Sequence, residues 1–103
     1  MMGVVDINIK ALQYQVVFGD VEENITRVRE QFERAELKET DVVVLPEMWT
    51  SGYDLENIQK HASQDLEPAK SVISELAQEY DVNIVAGSVA NIRDDPDEVY
   101  NTA

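Results

Sequence analysis

Cysteine is absent from this chain, and that one absence removes several chemistries at once. No disulfide, zinc–thiolate site or cysteine nucleophile can form within it. Histidine is nearly absent: His61 stands alone, so a Ser-His-Asp arrangement would have to use that residue. Basic residues are scarce. Eight Lys and Arg face 21 Asp and Glu, for a formal charge of −13. Nucleic acids and anionic membranes are bound by basic patches, so neither is expected as a partner. The acidic excess is read as serving solubility. Long apolar runs are missing too; none approaches the ~20 residues needed to cross a bilayer. The opening residues, MMGVVDINIK, lack a basic segment followed by a long apolar one. No signal peptide is read there, and a cytoplasmic location is expected.

What remains is a chain of 103 residues, 44% of them hydrophobic. That length suits one small domain or part of a larger one, able to bury roughly 60–65% of its unfolded surface. From Asp6 to Val17 the apolar side chains fall on both faces of an extended segment: Ile7, Ile9 and Ala11, then Leu12, Tyr14 and Val16. A strand apolar on both faces predicts a sheet covered on both sides. Phe18-Gly19-Asp20 then turns the chain, and Asp20 with Glu23 has the spacing of a capping box. Ile25, Val28, Phe32 and Ala35 recur every three or four residues, opposite Arg27, Glu30, Arg34 and Lys38, which predicts a helix over Val21 to Glu39. Val42 to Leu45 reads as the second strand. A short helix is expected from Glu56 to Ala62 and a longer one from Leu66 to Tyr80, with Pro68 in its first turn. Val82 to Ile92 reads as one long third strand, Asp94 to Asp97 as a polar turn, and the residues from Glu98 as a fourth strand. The order β-α-β-α-β-β predicts an α/β fold with a largely parallel start and a closing hairpin. The sequence stops inside an apparent strand, so residues 1–103 are expected to be the N-terminal part of a larger domain, incomplete at the C-terminus.

The segment DVVVLPEMWTSGY, Asp41 to Tyr53, carries the clearest chemical question. An apolar strand runs into Pro46, which cannot donate to a sheet, and then into Glu47. Ligands of open α/β sheets bind beyond the carboxyl ends of the strands, which is where Glu47 falls. It is either a general acid or base in a partly desolvated cleft or a solvated, salt-bridged turn carboxylate. Met48, Trp49 and Tyr53 either wall a substrate pocket or belong to the core or a subunit contact. Gly52 suits a turn with positive φ. Ser51 and Ser88 lie in no G-x-S-x-G elbow, so neither is read as a nucleophile. His61 is expected on the surface. Asp94, Asp95, Asp97 and Glu98 lack the order and the glycine of an EF-hand loop. Gly87-Ser88 is too short for a dinucleotide fingerprint.

Taken together, LQYQVVFGDVEENITRV, DVVVLPEMWTSGYDL, NIVAGSVA and YNTA resemble the opening blocks of the nitrilase superfamily, the carbon–nitrogen hydrolases. The likeness runs from about Ile9 to Ala103. Its most specific part is Leu45-Pro46-Glu47 with Gly52-Tyr53, supported by Gly19-Asp20, Asn24 and Asn101-Thr102-Ala103. The resemblance implies a four-layer α-β-β-α sandwich and a Glu-Lys-Cys triad that hydrolyses a small amide or nitrile without cofactor or metal. It assigns the general base to Glu47 and makes Tyr53 and Trp49 substrate-binding candidates. It also implies association into homo-oligomers.

The departure from the pattern is the rest of the triad. The family's Lys and Cys belong to later blocks; none of Lys10, Lys38, Lys60 and Lys70 lies in a matching block, and there is no Cys. The expectation is therefore an amidase-type hydrolase in the complete protein, with these residues alone inactive. The alternative is a non-catalytic acidic α/β module that binds a partner along an open strand edge.

Overall fold

In a computed structural model of the chain, residues 6–64, 66–92 and 98–103 are described. The first helix, α1 (Val21–Arg34), begins as its sequence requires. Asp20 is extended and its carboxylate accepts from the Glu23 N–H at 3.0 Å, satisfying one of the helix's orphan donors. Its apolar stripe buries Val28 and Phe32, and it ends at Arg34, short of the expected Glu39. Helix α3 (Ala69–Tyr80) starts three residues later than expected and presents Val72 and Leu76 to the same core, where the Phe32 and Tyr80 rings meet at 5.4 Å.

Between these helices and solvent lies a parallel sheet of β1 (Ile9–Ala11), β2 (Val42–Val44) and β4 (Asn83–Val85), in the order β1-β2-β4. The register aligns Ile9 with Val42 and Asn83, and Ala11 with Val44 and Val85. Strand side chains alternate between faces, so Lys10, Val43 and Ile84 form one row, with Val43 fully buried. The opposite row is open, with Ile9 65% and Val85 56% exposed. The expectation of a sheet covered on both sides is met on one face only.

The expected single strand from Val82 to Ile92 is two strands in two sheets. After β4 the chain kinks at Gly87, whose φ is +60°, and re-enters as β5 (Val89–Ile92). A glycine inside a strand-like pattern marks such a break. β5 pairs in parallel with β3 (Ser63–Gln64) and antiparallel with β6 (Val99–Thr102). The closing hairpin is therefore present, while its polar turn, Asp94 to Asp97, lies outside the described residues. β3, too short and polar to show a period, was not expected. The short helix is split into a 3₁₀ turn (Leu55–Asn57) and α2 (Ile58–His61). No described helix is long and apolar enough to cross a membrane.

Candidate functional site

Glu47 opens a turn over residues 47–51, directly after β2, and its side chain is exposed. Pairing stops there for a chemical reason. Leu45 still donates its N–H to the Val85 carbonyl at 2.9 Å, but Pro46 has no N–H to give. The turn is then fastened to the link between β4 and β5. Met48 N–H donates to the Ser88 hydroxyl oxygen at 3.1 Å, and Trp49 N–H to the Ser88 carbonyl at 3.2 Å. Gly52 N–H closes the turn on the Met48 carbonyl at 2.7 Å. A Cβ on Gly87 would overlap the Pro46 carbonyl oxygen and lie 2.7 Å from its carbon, so only glycine lets the link pass so close to Glu47. Met48 holds a left-handed φ of 49°, a conformation that costs a non-glycine residue on the order of 1 kcal/mol and persists because its surroundings impose it.

Tyr53 reaches back to Glu47. Its hydroxyl donates to the Glu47 carboxylate at 2.7 Å. That bond raises the phenol above its usual pKa, with smaller contributions from desolvation and from the Glu47 charge. Losing the proton would set two negative charges side by side. The two residues six apart are thus brought together as one polar pair on the surface.

Trp49 is elsewhere. It is fully buried in the hydrophobic core and lines an apolar cavity of about 230 Å³ with Leu66, Ala69, Ile73 and Val89; Glu47 does not line it. Ser51 and Ser88 are buried, and their hydroxyl groups bond backbone: Ser51 donates to the Gly52 carbonyl and Ser88 accepts from Met48. Among the described residues no group of three or more His, Asp and Glu is arranged to hold a metal ion.

Two residues that support the site were not singled out for that task by spacing alone. Asn24 is fully buried on the inner stripe of α1. Its amide oxygen accepts from the Val17 N–H at 2.6 Å, and its amide nitrogen donates to the carbonyls of Val17 and Thr50, each at 2.8 Å. It ties the segment after β1 and the Glu47 turn to α1. The signal was a polar residue at the first position of an apolar stripe, four residues before Val28. The second is His61, expected on the surface. Its side chain is only 15% exposed, with Nε2 3.3 Å from the Asp54 carboxylate, because Asp54 is itself buried and draws the ring inward.

A parallel sheet with helices packed on one face and a carboxylate held at the carboxyl end of its middle strand defines an α/β protein with a candidate active-site edge. Comparison with known proteins gives the family. Residues 8–103 match the carbon-nitrogen hydrolase family, and the chain belongs to it. It is 45% identical over 97 residues to "Hydrolase in agr operon" of Staphylococcus aureus, covering 94% of this chain and 36% of that protein. It is 46% identical over 94 residues to the 2-oxoglutaramate amidase of Bacillus subtilis, covering 91% of this chain and 35% of that protein. Among solved structures it resembles Nit3 of Saccharomyces cerevisiae, a member of branch 10 of the nitrilase superfamily, with a TM-score of 0.80 and 25% identity over 92% of this chain and 37% of that one. The chain thus spans about a third of the length of these relatives.

Proposed function

We propose that Glu47 is the general base of an enzyme that hydrolyses a small amide, acting in a full-length protein that joins this chain to the remaining family segments. The observation that carries the reading is the construction of the turn. A carboxylate at the end of an apolar strand is fastened through backbone bonds to Ser88 and Gly52 and is met by the Tyr53 hydroxyl. A solvated turn carboxylate needs none of this.

In the proposed reaction Glu47 takes the proton of a cysteine thiol, and the thiolate attacks the amide carbon. A lysine stabilises the oxyanion of the tetrahedral intermediate. Collapse breaks the C–N bond; the amine leaves with the proton returned by Glu47, and a thioester remains. Water, deprotonated by Glu47, attacks the thioester to give the acid and restore the thiol. The lysine and cysteine are those of the family's later blocks. Tyr53 orients the carboxylate and lines the substrate's approach, while Trp49 supports the turn from the core. The open face of β1-β2-β4 is proposed to meet a second sheet, giving the four-layer α-β-β-α sandwich. No cofactor is required by this scheme.

The similarity to a 2-oxoglutaramate amidase favours amides over nitriles, and ω-amides of short dicarboxylic acids among them. The test is ammonia release by the full-length protein from a panel of short amides, ω-amides and nitriles. Turnover of amides and not of nitriles is expected. Turnover by the 103-residue chain alone would contradict the scheme, since it holds no thiol.

A further inference from the structure

The buried carboxylate nearest the proposed base lies next to its tyrosine in the chain. Tyr53 is exposed and faces Glu47; Asp54 is only 6% exposed and faces inward. Asp54 meets the His61 ring at 3.3 Å, and the Asn57 amide donates to both of its oxygens at 3.3 Å. The cluster is closed on a third side by the turn after β1. Gly19, at φ +69°, is so close that a Cβ there would stand 2.6 Å from the Asp54 carboxylate and 3.4 Å from the His61 ring. The same glycine donates its N–H to the Ser51 carbonyl at 2.8 Å. Three segments therefore converge on one buried carboxylate, and the residue they fix is the immediate neighbour of Tyr53.

We propose that Asp54 and His61 form a positioning pair that holds the Tyr53 hydroxyl against Glu47, so that His61 acts on the proposed base through Tyr53 and not by contact with substrate. The inference rests on the reading of Glu47 as the base and adds to it a support drawn from α2. A buried carboxylate deprived of its partners is strongly disfavoured, so loss of His61 lets Asp54 turn out toward water and carries Tyr53 with it. Space for the carboxylate exists only because residue 19 has no side chain.

The test uses His61→Ala in the full-length protein, alone and combined with Tyr53→Phe. Folding is followed by circular dichroism and thermal melting. A displaced hydroxyl is expected to lower kcat about ten-fold or more, as misplacement on the ångström scale does. In the Tyr53→Phe background the same change should cost about two-fold or less, since the route through the hydroxyl is already gone. Independently of activity, the ultraviolet titration of Tyr53, taken as the difference between each protein and its Tyr53→Phe counterpart, should move down toward the ordinary ~10. Should His61→Ala fail to fold, Asn57→Ala removes an exposed partner of Asp54 and should move the titration the same way by a smaller amount. Equal losses of kcat in both backgrounds, or an unmoved Tyr53 titration in these variants, would overturn the proposal. If Glu47→Gln retained activity while His61→Ala still moved the Tyr53 titration, the base assignment would fail and the positioning pair would stand.

Discussion

Replacing Asn24 by Ala should destabilise the fold far more than a typical helix substitution, and the structure says by how much. The side chain makes three hydrogen bonds to backbone groups that have been withdrawn from water. An uncompensated buried polar group costs about 1–3 kcal/mol, and partial rescue by water entering the space lowers the sum. A loss of about 3 kcal/mol is therefore expected. Urea unfolding followed by Trp49 fluorescence measures it directly. Asn24→Asp sharpens the argument. It preserves the shape and the acceptor for Val17 N–H, but places carboxylate oxygens against the carbonyls of Val17 and Thr50. The folded state then favours the protonated acid, so the introduced group's pKa is raised on folding. Its contribution to stability is present below the ordinary carboxyl value of ~3.9 and is lost as pH rises through the folded value. Relative to wild type at each pH, this variant should be weak at neutral pH and partly recover toward pH 4. A loss under about 1 kcal/mol for Asn24→Ala, or no relative recovery of Asn24→Asp in acid, would refute the claim that Asn24 pins the turn.

The two turn glycines should behave differently. Gly87→Ala drives a Cβ into the Pro46 carbonyl and should abolish soluble folded protein, whereas at Gly52 the nearest atoms to an added Cβ are 3.7 Å away and only the positive φ resists, for a loss of about 1 kcal/mol by thermal melting. The Tyr53 phenol, raised by its bond to Glu47, should titrate closer to the ordinary ~10 in Glu47→Gln, and the stability it contributes should be present below that value and fade as pH rises through the raised one. Tyr14→Phe should match or exceed wild-type stability by up to about 1–2 kcal/mol in urea. Its hydroxyl is buried without a partner among the described residues, and burial pushes the phenol up to about 12.

The sequence made the helices legible because their information is local. Asp20 capping Glu23 and the stripe through Val28 and Phe32 are both visible in a window of one or two turns. Glu47 was legible as a position because Pro46 announces the end of β2. The kink at Gly87 was hidden in an apolar run that looks continuous, since what breaks it is a contact with Pro46 some forty residues away. His61 was misplaced for the same reason: its partner Asp54 is polar, and nothing in the local pattern says that Asp54 is buried. Trp49 could not be divided between core and pocket, because a large apolar side chain after a strand serves either. The alternation from Ile7 to Val16 marked β1 but overstated its length, since pairing with β2 covers only Ile9–Ala11, and β3 carries too few residues for a period of two to show.

The central claim is that Glu47 removes a proton in the rate-determining chemistry, and Glu47→Gln in the full-length protein tests it most directly. The amide keeps the shape and can still bond to Tyr53, but it cannot act as a base. Kcat for amide hydrolysis is expected to fall by roughly 10²-fold or more, with KM changed much less, because the loss falls on the transition state. Near-normal kcat in a folded Glu47→Gln protein would make Glu47 a structural carboxylate and contradict the account.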